Sequence, residues 1–116
     1  TFRTGMHRGD DLLELPDRPT AIFASNDDMA AGVIAAAQRR SIQIPKELSV
    51  VGFDDTAIAA AIWPRLTTVR QPIAEMAQAS VDIISDVTAE GWNGEPVRLV
   101  NDSIHIVERE SLAPPA

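Results

Sequence analysis

Several kinds of chemistry are excluded by what the sequence lacks. It contains no cysteine among its 116 residues, which excludes disulfide frameworks, thiolate nucleophiles and cysteine-ligated zinc or iron–sulfur sites. No stretch approaches the roughly 18 consecutive apolar residues that a membrane-spanning helix requires, and no basic segment is followed by an apolar leader. The sequence therefore predicts a polypeptide without a membrane partner.

Basic residues are scarce relative to acidic ones. The chain has 10 Lys and Arg against 17 Asp and Glu, which gives a net charge of −7. Such an excess repels phosphate backbones, so we do not expect these residues to form a nucleic-acid surface themselves. Hydrophobic residues make up 45% and charged residues 23% of the sequence, which is typical of a globular domain. At this length one small core is expected.

The two ends of the chain carry no predicted chemistry. Thr1, Phe2 and Arg3 predict the tail of a strand whose beginning is absent, so we expect a piece of a longer protein. Pro114 and Pro115 predict a frayed C-terminal end, because proline continues neither a helix nor a strand ladder.

Short apolar runs predict the strands of a parallel sheet. Residues 20–25 and 48–53 are almost unbroken apolar runs, which is typical of strands covered on both faces. Residues 66–70 predict a third strand, and residues 97–100 and 104–107 predict two more around a turn. Because helical patterns alternate with the strands, the sequence predicts an α/β fold with a Rossmann-like parallel sheet and flanking helices.

Three helices are predicted. The first covers residues 6–15 and ends before a proline, and the second covers residues 27–40. Residues 29–37 of this second helix carry no polar side chain, so we expect it to have neighbours on two sides. The last helix covers residues 72–90, has a single apolar stripe and ends at Gly91.

Polar clusters follow the first two predicted strands. Residues 25–28 (Ser-Asn-Asp-Asp) follow one strand and residues 54–56 (Asp-Asp-Thr) follow the other. Ligands of open parallel sheets bind outside the carboxyl ends of the strands, so Asn26 and Asp54 are expected to face a shared crevice. A carboxylate accepts paired hydrogen bonds from vicinal hydroxyls and an amide both donates and accepts, which favours a sugar, polyol or nucleoside over an anion. The alternative is that Asn26, and Asp55 or Thr56, merely cap helices.

Enzymatic alternatives lack the residues that they need. Acidic strand ends also occur in magnesium-dependent phosphotransfer folds, but the lone lysine is Lys46 in a connecting loop, and no phosphate-binding glycine loop is present. His7 and His105 stand outside any hydrolase or metal motif and are interpreted as structural. The sequence therefore predicts no catalytic residue, no metal site and no cofactor. Trp63 and Trp92 could stack on a sugar, but their placement favours packing or an inter-subunit contact.

Four motifs in order carry a resemblance to a known family. They are P-x-A-I-F-A-S-N-D-x-M-A-x-G, I-P-x-x-L-S-V-V-G-F-D-D-T, L-T-T-V-R-Q-P and E-R-E-S. Their order and spacing resemble the last third of LacI/GalR-family transcriptional repressors, from about Phe2 to Pro114. In that family a helix-turn-helix headpiece binds operator DNA. Two Rossmann-like subdomains of the type I periplasmic-binding-protein kind close on a sugar or purine effector. The resemblance thus implies a truncated fold of that type.

The resemblance implies roles for particular residues. It implies that Asn26, Asp54 and Gln71 contact the effector. It also implies a homodimer formed by the second helix and the segment around Trp63, with the following interface residues: Met29, Ala30, Ala31, Val33, Ile34, Ile62 and Trp63. This dimer contact would account for the two apolar faces of the helix. Operator DNA would be bound only through a headpiece absent from this chain, in a cytoplasmic, non-enzymatic protein.

The resemblance also implies how the chain is divided. Residues 1–71 would belong to the C-terminal effector-binding subdomain, residues 72–100 to the N-terminal subdomain, and residues 101–116 to a crossover strand and tail. The helix at 72–90 would then lack its usual partners, so we expect it to pack abnormally on its own sheet or on a neighbouring chain. The alternative function is an extracytoplasmic sugar-binding protein of a transporter, which shares the fold and the position of the pocket.

Overall fold

The computed structural model of the chain describes residues 1–97 and 103–114. The chain divides into two compact units. The first unit comprises Thr1–Arg70 and Ile106–Ala116, and the second comprises Gln71–His105.

Four helices and four strands make up the described part of the chain. The helices are α1 (Phe2–Leu13), α2 (Asp27–Arg39), α3 (Ala57–Ala61) and α4 (Ile73–Glu90), and the strands are β1 (Ala21–Phe23), β2 (Ser49–Phe53), β3 (Thr67–Arg70) and β4 (His105–Val107). The sheet has the order β1-β2-β3-β4, and β2 pairs in parallel with both β1 and β3. The predicted α/β class with a parallel sheet is confirmed. The strand predicted at 97–100 falls largely outside the described residues.

The N-terminal prediction is wrong. Residues 1–3 form the start of α1 and not the end of a strand. The Thr1 hydroxyl accepts a hydrogen bond of 3.2 Å from the backbone N–H of Thr4, so Thr1 caps the helix. A run of three residues has no periodicity that separates helix from strand, and packing against α2 decides the outcome here.

Two neighbours cover the apolar helix α2. The side chain of Asn26 caps the N-terminus of α2, as the capping alternative predicts. Most residues of α2 are buried. The sheet covers one side and α1 the other, in a very close approach: a Cβ at Gly5 would lie 2.2 Å from the Met29 carbonyl oxygen, and one at Gly32 would lie 2.1 Å from that of Phe2. The expected two neighbours are therefore present within the chain. The dimer contact that the resemblance offered is not needed to explain the two apolar faces.

The two faces of the sheet differ in cover. Val50 and Gly52 of β2 are buried beneath α2, whereas Phe53 is half-buried on the opposite face. On that face Phe23 is 65% exposed, and its ring meets the ring of Phe53 edge-on with centroids 6.4 Å apart. The prediction that residues 20–25 are covered on both faces is wrong, because an apolar run does not reveal whether its second cover lies in the same chain.

The segment 108–113 completes the first unit. Ser111 is fully buried where β2 and β3 begin: its hydroxyl donates to the Val50 carbonyl (2.6 Å) and accepts from the Thr67 N–H (2.8 Å), while its carbonyl accepts from the Val50 N–H (2.8 Å). The Ser49 hydroxyl is similarly bonded to both backbone groups of Ala113. These bonds satisfy backbone groups that would otherwise be buried without partners.

The second unit contains the long helix α4. It begins after Pro72 and ends at Gly91, whose φ of 84° stops the helix as predicted. None of its residues, all within the described ranges, is buried, and Ile73 and Ile84 are exposed. Whether this helix packs abnormally on the chain's own sheet or on a neighbouring chain stays a prediction. No helix in the described ranges is both long and apolar enough to span a membrane.

Candidate functional site

The register of the sheet brings Asn26 and Asp54 to the same edge. Phe23 of β1 lies opposite Val51 of β2, and Asn26 and Asp54 each come three residues later. β3 continues this edge, because the Asp54 N–H donates a 2.9 Å hydrogen bond to the Val69 carbonyl. The carboxyl ends of three parallel strands thus meet where the sequence predicted a ligand site.

The side-chain oxygen and nitrogen of Asn26 have different surroundings. Its Oδ1 accepts a 2.9 Å hydrogen bond from the Met29 N–H, which satisfies an orphan donor of the first helical turn. Its Nδ2 amide has no hydrogen-bond partner among the residues that the structure describes. The capping role and a binding role are therefore compatible, since they use different atoms.

Asp54 is held in an unusual backbone conformation. Its φ is 104° and that of Asp55 is 53°, so two successive residues other than glycine have positive φ. Such conformations cost of order 1–3 kcal/mol each and persist when surrounding contacts enforce them. The turn leaves Asp54 exposed at the edge of the sheet. The geometry thus gives this residue a fixed position without burying it.

Asp27 is a central residue that sequence analysis missed. It is fully buried, and its Oδ2 accepts hydrogen bonds from the Thr56 N–H (2.6 Å) and hydroxyl (3.0 Å), while its Oδ1 accepts one from the Thr68 hydroxyl (2.5 Å). It therefore ties the start of α2 to β3 and to the loop that carries Asp54. A Cβ at Gly52 would lie 2.4 Å from its Oδ1, so only glycine fits there. A glycine inside an apolar strand is the signal that could have indicated this close approach.

Asp55 forms ion pairs with two arginines. Its side chain is only 5% exposed, and Oδ1 lies 2.7 Å from Arg109 Nη2. Oδ2 accepts a 2.5 Å hydrogen bond from Arg70 Nε and also contacts Arg70 Nη2. Burial alone would raise the pKa of the Asp55 carboxyl, but the hydrogen bonds and charges of Arg109 and Arg70 outweigh it and lower that pKa. From the sequence, Asp55 was expected at most to cap a helix, and no role was predicted for Arg109.

The remaining predicted ligand residue, Gln71, begins the second unit. Its predicted contact with an effector stays a prediction. His7 lies on α1 and His105 in β4. Within residues 1–97 and 103–114 no group of three or more His, Asp or Glu side chains is arranged to hold a metal ion.

The predicted dimer residues differ in accessibility. Trp63 is 74% exposed, Met29 and Ile62 are half-buried, and the other four are buried within the chain: Ala30, Ala31, Val33 and Ile34. The exposed Trp63 and Trp92 do not pack into the core of this chain, contrary to the packing alternative. Whether Trp63 meets a second subunit stays a prediction.

Two clefts lie away from the edge that carries Asn26 and Asp54. One, of about 560 Å³, runs along α1 beside Arg3 and His7. The other, of about 600 Å³, lies beside the amino ends of β1 and β2 and is lined by Arg18, Leu112 and Pro114 among others. The candidate site itself is an open edge of the sheet rather than either of these clefts.

Comparison with known proteins identifies the family. The sequence matches the periplasmic binding protein-like domain over residues 2–112. The chain belongs to this family. It is 36% identical over 85 residues to catabolite control protein A of Priestia megaterium, covering 73% of this chain and 26% of that protein. It is 40% identical over 89 residues to the probable HTH-type transcriptional repressor ExuR of Bacillus subtilis (strain 168), covering 73% and 27%. The chain thus spans about a quarter of the length of these curated relatives.

Solved structures support the same family assignment. The transcriptional regulator CelR in complex with cellobiose superposes with a TM-score of 0.85 at 31% identity, over 96% of this chain and 33% of that one. The resemblance to LacI/GalR-family regulators is confirmed, because the relatives are repressors of that family and its members are the structural neighbours.

Proposed function

We propose that this chain is the effector-binding and dimerisation segment of a LacI-family transcriptional repressor. It senses a small sugar-like or nucleobase-like molecule and modulates operator binding through a headpiece elsewhere in the protein. One observation carries the proposal: the register that aligns Asn26 and Asp54 at the carboxyl edge of a parallel sheet. The cellobiose complex of CelR supports a sugar as the class of ligand.

The chemistry of this edge suits a neutral hydroxylated ligand. The Asp54 carboxylate accepts hydrogen bonds from vicinal hydroxyls, and the Asn26 Nδ2 amide donates one in return. Asp28 is exposed nearby and the net charge is −7, so an anionic ligand is disfavoured. Gln71 would supply a third contact where the chain passes into the second unit.

The mechanism that we propose is a shift in population. The effector binds one closure state of the two subdomains more tightly, and the changed geometry alters how paired headpieces fit the operator. The protein is then a non-enzymatic cytoplasmic regulator and a homodimer, with Trp63 at the subunit contact. The repressors among its relatives favour this function over a transporter component.

Calorimetry on the full-length regulator tests the proposal. The panel contains cellobiose, ribose, other mono- and disaccharides, and nucleobases. Asp54→Ala is expected to lower the affinity for the bound compound by 100-fold or more. This follows because hydrogen bonds to a charged group contribute about 1.5–3 kcal/mol each, and the variant removes a pair of them.

Asp28→Ala is the matched control for Asp54→Ala. It removes an exposed carboxylate from the first turn of α2 and should leave the affinity within a few-fold of the unsubstituted protein. Light scattering should give the mass of a dimer for both variants. Unaltered binding by Asp54→Ala would remove Asp54 from the site, and a monomeric mass for the unsubstituted regulator would contradict the dimer.

A further inference from the structure

The chain leaves the first unit after Arg70 and returns to it at Ile106. Two arginines mark these crossings, since Arg70 is the last residue before the exit and Arg109 lies three residues after the return. Both guanidinium groups bind the same carboxylate, that of Asp55. Asp55 directly follows Asp54, the residue proposed to bind the effector.

The two arginines are held to very different extents. The side chain of Arg109 is 16% exposed, its Nη1 donates to the Leu66 carbonyl (2.8 Å), and its backbone N–H donates to the Thr67 hydroxyl (2.9 Å). The side chain of Arg70 is 52% exposed. The Asp55 carboxylate is therefore bound to one fixed partner and to one partner that is able to move.

The backbone connects this ionic group to the binding edge. Asp54 and Asp55 have consecutive positive φ values of 104° and 53°, a conformation that surrounding contacts must enforce. Asp27 holds the following residue, Thr56, through its N–H and hydroxyl. With both sides of the turn anchored, a displacement of Asp54 strains the Asp55 contacts instead of dissipating in a loose loop. We expect the contact to Arg70 to break first, because Arg70 is more exposed than Arg109.

We propose that Asp55 is a positioning residue that couples effector binding at Asp54 to the chain crossing at Arg70, with Arg109 as the fixed anchor. The inference rests on the proposed function and deepens it, because it names the ionic link that transmits occupancy to the crossing. Asp55 does not itself contact the effector.

The test separates binding from coupling in the full-length regulator. Operator affinity is measured with and without a saturating concentration of the panel sugar that binds most tightly, cellobiose or ribose being the first probes. The ratio of the two operator affinities is the coupling factor. Asp55→Asn keeps the shape of the side chain and removes its charge. It should reduce the coupling factor at least tenfold while changing the sugar affinity by far less than Asp54→Ala does.

Two further variants make the result decisive. Arg70→Gln, at a half-exposed position, should reduce the coupling factor in the same way even where Asp55→Asn does not fold. Glu110→Gln breaks the exposed ion pair with Arg65 on the returning segment and serves as the matched control, because it does not touch Asp55. It should keep the coupling factor of the unsubstituted protein.

The outcomes distinguish the two proposals. A coupling factor within twofold of the unsubstituted protein in Asp55→Asn or Arg70→Gln would overturn this inference alone. An equal loss in Glu110→Gln would also overturn it, since any ion pair on that segment would then serve. An unsubstituted regulator that binds none of the probes would refute the proposed function and this inference together.

Discussion

Replacing Asp27 by alanine removes the acceptor of three hydrogen bonds at once. The Thr68 hydroxyl is fully buried and loses its acceptor, which costs about 1–3 kcal/mol. Thr56 is exposed, so water replaces part of what its N–H and hydroxyl lose, at about 0.5–1.5 kcal/mol for each bond. The free energy of unfolding should therefore fall by about 4 kcal/mol, within a range of about 2–6 kcal/mol.

Urea unfolding followed by far-ultraviolet circular dichroism measures this loss. Asp27→Asn keeps the shape and one acceptor, so it should cost about 1–2 kcal/mol, the charge-assisted part of the bonds. Asp28→Ala is the matched control: it removes an exposed carboxylate from the same helical turn and should cost no more than about 1 kcal/mol. If Asp27→Ala were no more destabilising than Asp28→Ala, the buried carboxylate would not be the connection described here.

Two more predictions follow from the packing of α2 and from the charge of Asp55. Gly32→Ala should lower the free energy of unfolding by about 1–2 kcal/mol in the same urea assay, because its Cβ would meet the Phe2 carbonyl oxygen at 2.1 Å. The gain in helix propensity offsets only part of this strain. Gly9→Ala, whose Cβ would have its nearest contact at 3.1 Å, should cost less, and equal costs would contradict the close approach of α1 and α2 as the cause. The Asp55 carboxyl has a lowered pKa when folded, so its contribution to stability is complete above its ordinary pKa of 3.8 and is lost as the pH falls through the folded value. The difference in stability between the unsubstituted protein and Asp55→Asn should therefore shrink below about pH 4, and a difference constant from pH 7 to pH 2 would exclude this role.

Local patterns predicted the elements around the candidate site well. The polar cap and apolar run after Asn26 predicted α2, and the apolar run from Leu48 to Phe53 predicted β2 to within one residue. The same alternation predicted that Asn26 and Asp54 follow neighbouring parallel strands, and the register agrees. These features depend on residues close together in the sequence, which is why pattern and propensity are sufficient for them.

Contacts between residues far apart in the sequence could not be predicted from local patterns. Asp27 looked like an ordinary acid of a first helical turn, yet its partner Thr68 stands 41 residues away. Arg109 lies 54 residues from Asp55, so no local signal joins them. Phe23 shows the converse, because its apolar neighbours predicted burial, whereas it is mostly exposed in this chain. Residue spacing predicts which edge a side chain reaches but not which distant partner it meets there.

The buried hydroxyl of Ser111 limits how the polypeptide can be shortened for further work. A stop codon before this position would leave the N–H groups of Val50 and Thr67 without their hydrogen-bond acceptors. Affinity tags and fluorescent labels therefore belong beyond Ala113, whose backbone still bonds to Ser49. Proteolysis that removes this serine would likewise remove the hydrogen-bond partners of Val50 and Thr67 where β2 and β3 begin.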